Sequence, residues 1–128
     1  METTEDTMES YKDLRVYQKS YEAAKRLYKA VSDQYPVEER YGLSSQIKRA
    51  ATSIPLNIAE GYGKGGGGKE LQRFLMIARG SSAEMEVLLS FSKDFGYITP
   101  EEYAEYHGWY EEIGKMLTGL IRSINTNN

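Results

Sequence analysis

The sequence predicts an all-α chain folded as an antiparallel up-down-up-down four-helix bundle, and three observations predict it. Apolar residues recur at alternating spacings of three and four along most of the chain, which builds one face of a helix. Strand-like alternation is absent, and only three prolines occur in 128 residues. Turn-forming residues interrupt the pattern in three places, so four helical segments follow one another with short connections. Residues 1–10 read as a flexible tail, 11–124 as the bundle and 125–128 as a frayed end.

The first segment has its seam at Leu14, Tyr17, Tyr21, Ala24, Tyr28, Val31 and Tyr35. Asp13 is placed to cap it, and Pro36 stops it, because the residue before a proline is driven out of the helical region. The second segment starts at Ser44 or Ser45, either a suitable cap, and ends at Gly61. Its apolar face is Ile47, Ala50, Ala51, Ile54 and Ile58. Pro55 lies inside that pattern, where it removes one backbone hydrogen bond and crowds the Ala51 carbonyl, at a cost of about 3 kcal/mol. A kinked helix is expected there, with Thr52 or Ser53 bonding the freed carbonyls; two short helices broken at Pro55 are the alternative.

Residues 61–68 form a glycine-rich connector. The third helix is expected from about Lys69 to Phe95, with Gly96 as its C′ residue. Gly80 interrupts it, which costs up to about 1 kcal/mol relative to alanine, so a close helix neighbour is the expected reason. The fourth helix has the clearest start. Thr99 caps it, Pro100 occupies the first turn, and Glu102 completes a capping box. Its seam is Tyr103, Tyr106, Tyr110, Ile113, Leu117, Leu120 and Ile124.

Composition narrows the function. With no cysteine, disulfides and thiolate metal sites are excluded. No signal peptide or run of about 18 apolar residues is present, so no membrane span and a cytoplasmic location are expected. The formal net charge is −3, against general nucleic-acid affinity, but it is unevenly spread. Residues 43–79 carry six basic and two acidic side chains, and residues 80–128 carry three and eight. The surface is therefore expected to be polarised.

Most signs of chemistry fail on inspection. Gly63, Gly68 and Lys69 have the spacing of a phosphate-binding loop, but Glu70 stands where a hydroxyl must hold magnesium, and a helix precedes the loop. Gly61, Gly63 and Gly66 fit a dinucleotide fingerprint, again without its strand. His107 is the only histidine, so no metal site or other cofactor is expected, and beside Trp109 it reads as a surface or interface residue. Glu101, Glu102, Glu105, Glu111 and Glu112 line the polar side of one helix, where a solvated face is the ordinary outcome. No catalytic residue and no small-molecule substrate can be named.

Two sets invite binding. Lys48, Arg49, Lys64, Lys69, Arg73 and Arg79 gather on or near one edge if the second and third helices form a hairpin. They can meet phosphates or an acidic partner or the acidic fourth helix of another subunit, or Arg49, Arg73 and Arg79 can pair internally with Glu60, Glu84 or Glu86. Eleven tyrosines supply large apolar rings whose hydroxyls need water or a partner. Tyr17, Tyr21, Tyr103, Tyr106 and Tyr110, with Trp109, are therefore expected at an interface between copies.

The stretch Tyr41-Gly42-Leu43-Ser44-Ser45-Gln46-Ile47-Lys48-Arg49-Ala50-Ala51-Thr52-Ser53-Ile54-Pro55-Leu56-Asn57-Ile58-Ala59-Glu60-Gly61 closely resembles the signature of one family, the small bundle proteins encoded by intervening sequences within 23S ribosomal RNA genes. Arg73-Phe74-Leu75-Met76-Ile77-Ala78-Arg79-Gly80-Ser81, followed by Glu84, resembles its second motif. Leu14 to Gln18 and Phe95-Gly96-Tyr97-Ile98 fit its flanks. The resemblance implies a homopentameric, non-enzymatic assembly. It also implies kinship with the accessory variability determinant (Avd) of diversity-generating retroelements, which binds a reverse transcriptase and its template RNA. By this route Lys48, Arg49, Arg73 and Arg79 become candidates for RNA or partner contact. Gln46, Asn57, Glu60, Ser81 and Glu84 become a polar network tying the second and third helices. The chain departs from the family at Gly65 to Gly68, which replace a Ser/Thr-containing turn and leave the third helix weakly capped, and in its acidity.

Overall fold

The structure is a computed structural model and describes residues 10–63 and 67–125. It is a four-helix bundle in the order α1 (Arg15–Gln34), α2 (Leu43–Gly63), α3 (Gly68–Asp94) and α4 (Pro100–Ser123), with single 3-10 turns at Tyr11–Asp13 and Val37–Glu39. Among the described residues there is no strand.

The buried stripe of α1 is Val16, Ser20, Ala23, Leu27 and Ala30, with Ala24 and Val31 beside it. It lies one position round from most of the tyrosine seam that periodicity suggested. Both stripes have helical spacing, and the choice between them is made by polar atoms. The inward stripe carries a single hydroxyl, Ser20, which donates to the Tyr17 carbonyl at 3.1 Å, whereas a tyrosine stripe would bury several phenols. Tyr17 is half-buried, and Tyr21 and Tyr28 are exposed. Asp13 is not the cap. It sits in the preceding 3-10 turn, itself capped by Ser10, and Leu14 occupies the α1 N-cap position in extended conformation without a side-chain bond.

The start of α2 is capped from the preceding 3-10 turn. Glu39 accepts from the Leu43 backbone N–H at 2.8 Å and from the Tyr97 hydroxyl at 2.9 Å. One carboxylate thus takes up an orphan donor, places negative charge at the helix N-terminus and ties the loop end of α3 to α2. The expected serine caps fall inside the helix, Ser44 buried and Ser45 exposed. The helix runs unbroken past Pro55 and two residues beyond Gly61. Thr52 Oγ1 donates to the Lys48 carbonyl at 2.8 Å, and Asn57 Nδ2 donates to the Ser53 carbonyl at 2.8 Å. Side chains do bond backbone around the proline, though not at Ala51.

α2 and α3 approach closely at Gly61, where an added Cβ would stand 2.9 Å from Leu71 Cδ1 and 3.0 Å from Phe74 Cβ. Gly80, expected to serve that purpose, is exposed, and a Cβ there would meet nothing. Contacts between α2 and α3 pair rising with falling numbers: Gly61 against Leu71, Ser53 against Ser81, Arg49 against Glu84. Ser82 Oγ donates to the Tyr110 carbonyl at 2.8 Å, and Gln72 to the Ile121 carbonyl at 3.3 Å, across α3 and α4. Lys19 and Glu112 close α1 on α4 at 3.2 Å. Leu27, Ile47, Ile54, Leu75, Met85, Leu89, Ile113 and Leu117 fill the enclosed centre without exposure.

Both ends of α3 and the start of α4 follow the sequence closely. Gly67 precedes α3 with no side-chain cap bond. At its other end Gly96 has φ +82°, with Gly96 N–H donating to Lys93 and Tyr97 N–H to Ser92. This is a complete Schellman motif, and a residue with a Cβ would be strained there. Thr99 and Glu102 exchange both bonds of a capping box ahead of α4.

Candidate binding surfaces

The six basic residues do not form one edge. Arg49 is joined to Glu84 across α2 and α3. Arg73 is joined to Glu70 on its own helix at 2.9 Å, and that bond raises its pKa. Lys48 faces α1, with its ammonium 5.1 Å from the centre of the Tyr28 ring. Lys69 is exposed at the start of α3, and Lys64 lies outside the described residues. Arg79 turns the other way, toward α4, with Nη1 3.5 Å from Thr118 Oγ1. Internal pairing thus accounts for Arg49 and Arg73, the latter with Glu70 rather than a partner considered from sequence.

The polar network between α2 and α3 is smaller than expected and has a different centre. Ser81 Oγ donates to Ser53 Oγ at 2.8 Å, and Asn57 Nδ2 donates to the same Ser53 oxygen at 3.0 Å. Glu84 takes part through Arg49. Gln46 is exposed and outside this chain of bonds, and Glu60 is exposed near the end of α2. Ser53 was expected to bond the carbonyls freed at Pro55, not to join α2 to α3.

The aromatic residues divide sharply. Tyr106 and Tyr110 are 4 % and 0 % exposed inside the single chain, so neither lies on a surface that another copy can reach. Their seam is the core stripe of α4. Trp109 is half-buried beneath the Arg26 guanidinium, 5.4 Å from its ring. Tyr103 is half-buried and holds Lys93 4.6 Å from its ring centre. Tyr17 and Tyr21 stack at 5.8 Å and, with Tyr11, Tyr28, Pro55 and Leu56, line an apolar groove of about 600 Å³ between α1 and α2. Burial, then the neighbouring Tyr11 and Tyr21, raises the Tyr17 phenol.

A second apolar surface was not foreseen. Ile77, Val87, Phe91 and Phe95 are exposed on α3, at spacings that place them with Gly80 on one outward stripe. The Phe91 and Phe95 rings lie 5.8 Å apart. The helix therefore has two apolar faces, one in the core and one outside, and searching for a single seam finds only the first.

Between α3 and α4 runs a polar groove of about 550 Å³. Gly114, Gly119, Ser82 and Ala83 are among its lining residues, with Arg79, Lys115 and Arg122 along it and Glu86 and Glu111 at one end. The two carboxylates flank His107, whose Nε2 is 3.5 Å from Glu86 and Nδ1 3.7 Å from Glu111. These three side chains are the described group that could hold a metal ion, their ligand atoms within 4.8 Å of one another. Each ring nitrogen faces a different carboxylate, one on α3 and one on α4, so the imidazole bridges the two helices. Lys115 and Arg122 escaped sequence analysis, although Glu111, Lys115, Thr118 and Arg122 share one face of α4. No helix among the described residues is long and apolar enough to cross a membrane.

Comparison with known proteins bears on these surfaces. The family model of the 23S rRNA-intervening sequence protein matches residues 12–119. A solved structure from Bacteroides thetaiotaomicron VPI-5482, described as a protein with unknown function from the S23 ribosomal protein family, is 31% identical. The match covers 84% of this chain and 99% of that one, with a TM-score of 0.74. No curated protein matches the chain.

Proposed function

The chain belongs to the 23S rRNA-intervening sequence protein family, and from that premise we propose that it is a non-catalytic scaffold whose copies assemble through apolar surfaces and engage RNA or an RNA-handling protein. One observation carries this reading: the α1–α2 groove and the α3 stripe are both apolar, and no element among the described residues covers either. Exposed apolar patches of this kind mark interaction sites. A groove and a ridge on different faces are self-complementary between copies only head to tail, and such an interface closes into a ring when the rotation permits. We assign the ring five members, built from antiparallel up-down-up-down bundles; the opposed numbering of the α2–α3 contacts supports that topology.

For RNA, the support is the family and the cations of α2 and α3. Lys48, Lys69, Arg49 and Arg73 are the proposed contacts, the two arginines exchanging Glu84 and Glu70 for phosphate. The second reading is an Avd-like accessory role in a diversity-generating retroelement, in which the same exposed stripe of α3 seats a reverse transcriptase. Co-purification with a neighbouring polymerase favours that reading, and an rRNA-operon location counts against it.

A mixing experiment tests the groove-and-ridge assembly. Leu56→Glu impairs the groove and Phe91→Glu the ridge, both at exposed sites, so each should fold as the parent does. Each variant alone should sediment as a monomer. Their equimolar mixture should yield heterodimers, because one intact groove and one intact ridge survive. A mixture that stays monomeric, or single variants that keep the parental mass, contradicts the proposed pairing.

A further inference from the structure

We propose that the α3–α4 groove is a phosphate-binding site held by Arg79, Lys115 and Arg122. It supplies a second place for RNA in the reading above and stands on separate residues if that reading fails. Three observations converge. The groove brings together three cations from two helices, and among the described residues none of the three is within ion-pairing distance of a carboxylate. The other arginines of the α2–α3 face are already paired, Arg49 with Glu84 and Arg73 with Glu70. Cations kept beside a concavity without a carboxylate partner are a standing attraction for an anion.

The shape of the groove supplies the second observation. Gly114 and Gly119 lie within α4, where glycine is unfavourable. A Cβ at Gly119 would meet nothing in the chain, and one at Gly114 would make only an ordinary contact, 3.6 Å from Ser82 Oγ. Neither glycine is required for helix packing. What they provide is open space along the groove, beside backbone.

The third is the direction of charge along the groove. Glu86 and Glu111 are confined to the end where they flank His107, while Arg79 and Arg122 lie toward the C-terminal end of α4. An anion is therefore excluded from one end and held at the other. Arg79 and Arg122 offer planar, forked donors suited to phosphate oxygens, and Lys115 adds a mobile point charge between the two ends. Phosphate from a free polyphosphate and phosphate in an RNA backbone share this chemistry, and the experiment separates them.

The folded protein is titrated with sodium triphosphate by calorimetry and with a fluorescein-labelled oligouridylate by polarisation, at several salt concentrations. At least one is expected to bind. Arg79→Gln, Lys115→Gln and Arg122→Gln should each weaken that binding by about tenfold, and for the oligonucleotide each should lower the salt slope by about 1. Gly119→Glu places a carboxylate in open space along the groove and should abolish binding without lowering the melting temperature. Lys29→Gln, at an exposed position on α1, should bind as the parent does, and all variants should keep the parent's solution mass. Triphosphate binding alone assigns the site to free polyphosphate, and oligonucleotide binding alone assigns it to RNA. Binding of neither, or binding indifferent to the three cations and to Gly119→Glu, overturns the proposal.

Discussion

Tyr110 has the one side-chain polar atom among the described residues that is buried without a hydrogen-bond partner. Burial pushes its phenol well above the ordinary range, since the charged form would have no solvation at all. An unsatisfied buried hydroxyl costs about 1–3 kcal/mol, and removing it while keeping the ring is neutral or stabilising. Tyr110→Phe should therefore raise the thermal midpoint, and a clear drop would mean that the hydroxyl has a partner. Glu102 supplies the acid-side counterpart. The Thr99 backbone N–H, then Gln34, hold its carboxyl below the ordinary value. A depressed carboxylate adds stability above its unfolded pKa, and that increment is lost as pH falls through the folded value. Glu102→Gln keeps the geometry of the capping box and removes the charge. The difference in melting temperature between parent and variant should be constant near neutrality and shrink below about pH 4.5; a difference independent of pH contradicts this role.

At the scale of elements, helices whose ends are set by adjacent residues were legible. The capping box of α4 and the Gly96 turn of α3 involve groups within a few positions of one another. The α2 cap was not, because its acceptor, Glu39, sits in the preceding 3-10 turn rather than at the helix boundary and also bonds Tyr97 from the α3–α4 connection. The face of α1 was missed for a different reason. Two stripes with helical spacing competed there, and spacing cannot weigh the cost of burying phenols. Two glycines make the same distinction measurable. Gly61→Ala places a methyl against Leu71 and Phe74, and overpacking of this kind costs about 1–3 kcal/mol. Gly80→Ala points into open space in the middle of α3 and should stabilise by about 0.5–1 kcal/mol. Denaturant midpoints of the two variants should move in opposite directions, and a shared direction would contradict the close approach at Gly61.

For the whole molecule, the bundle and its family were legible because the α2 signature and helical periods are local properties of the chain. The binding surfaces were only half legible. Sequence gathered its cations by position along α2 and α3, whereas the fold distributes them over three faces and brings Lys115 and Arg122 in from α4. It also grouped all seam tyrosines together, and the fold divides them between core and groove. Two apolar surfaces on one small chain are what a self-assembling scaffold requires, and an isolated monomer has no use for them. Sedimentation equilibrium of the unmodified protein over a wide concentration range tests this most directly. The account predicts an assembly near five times the 14.6 kDa chain mass, and a single-chain mass at every concentration would contradict it.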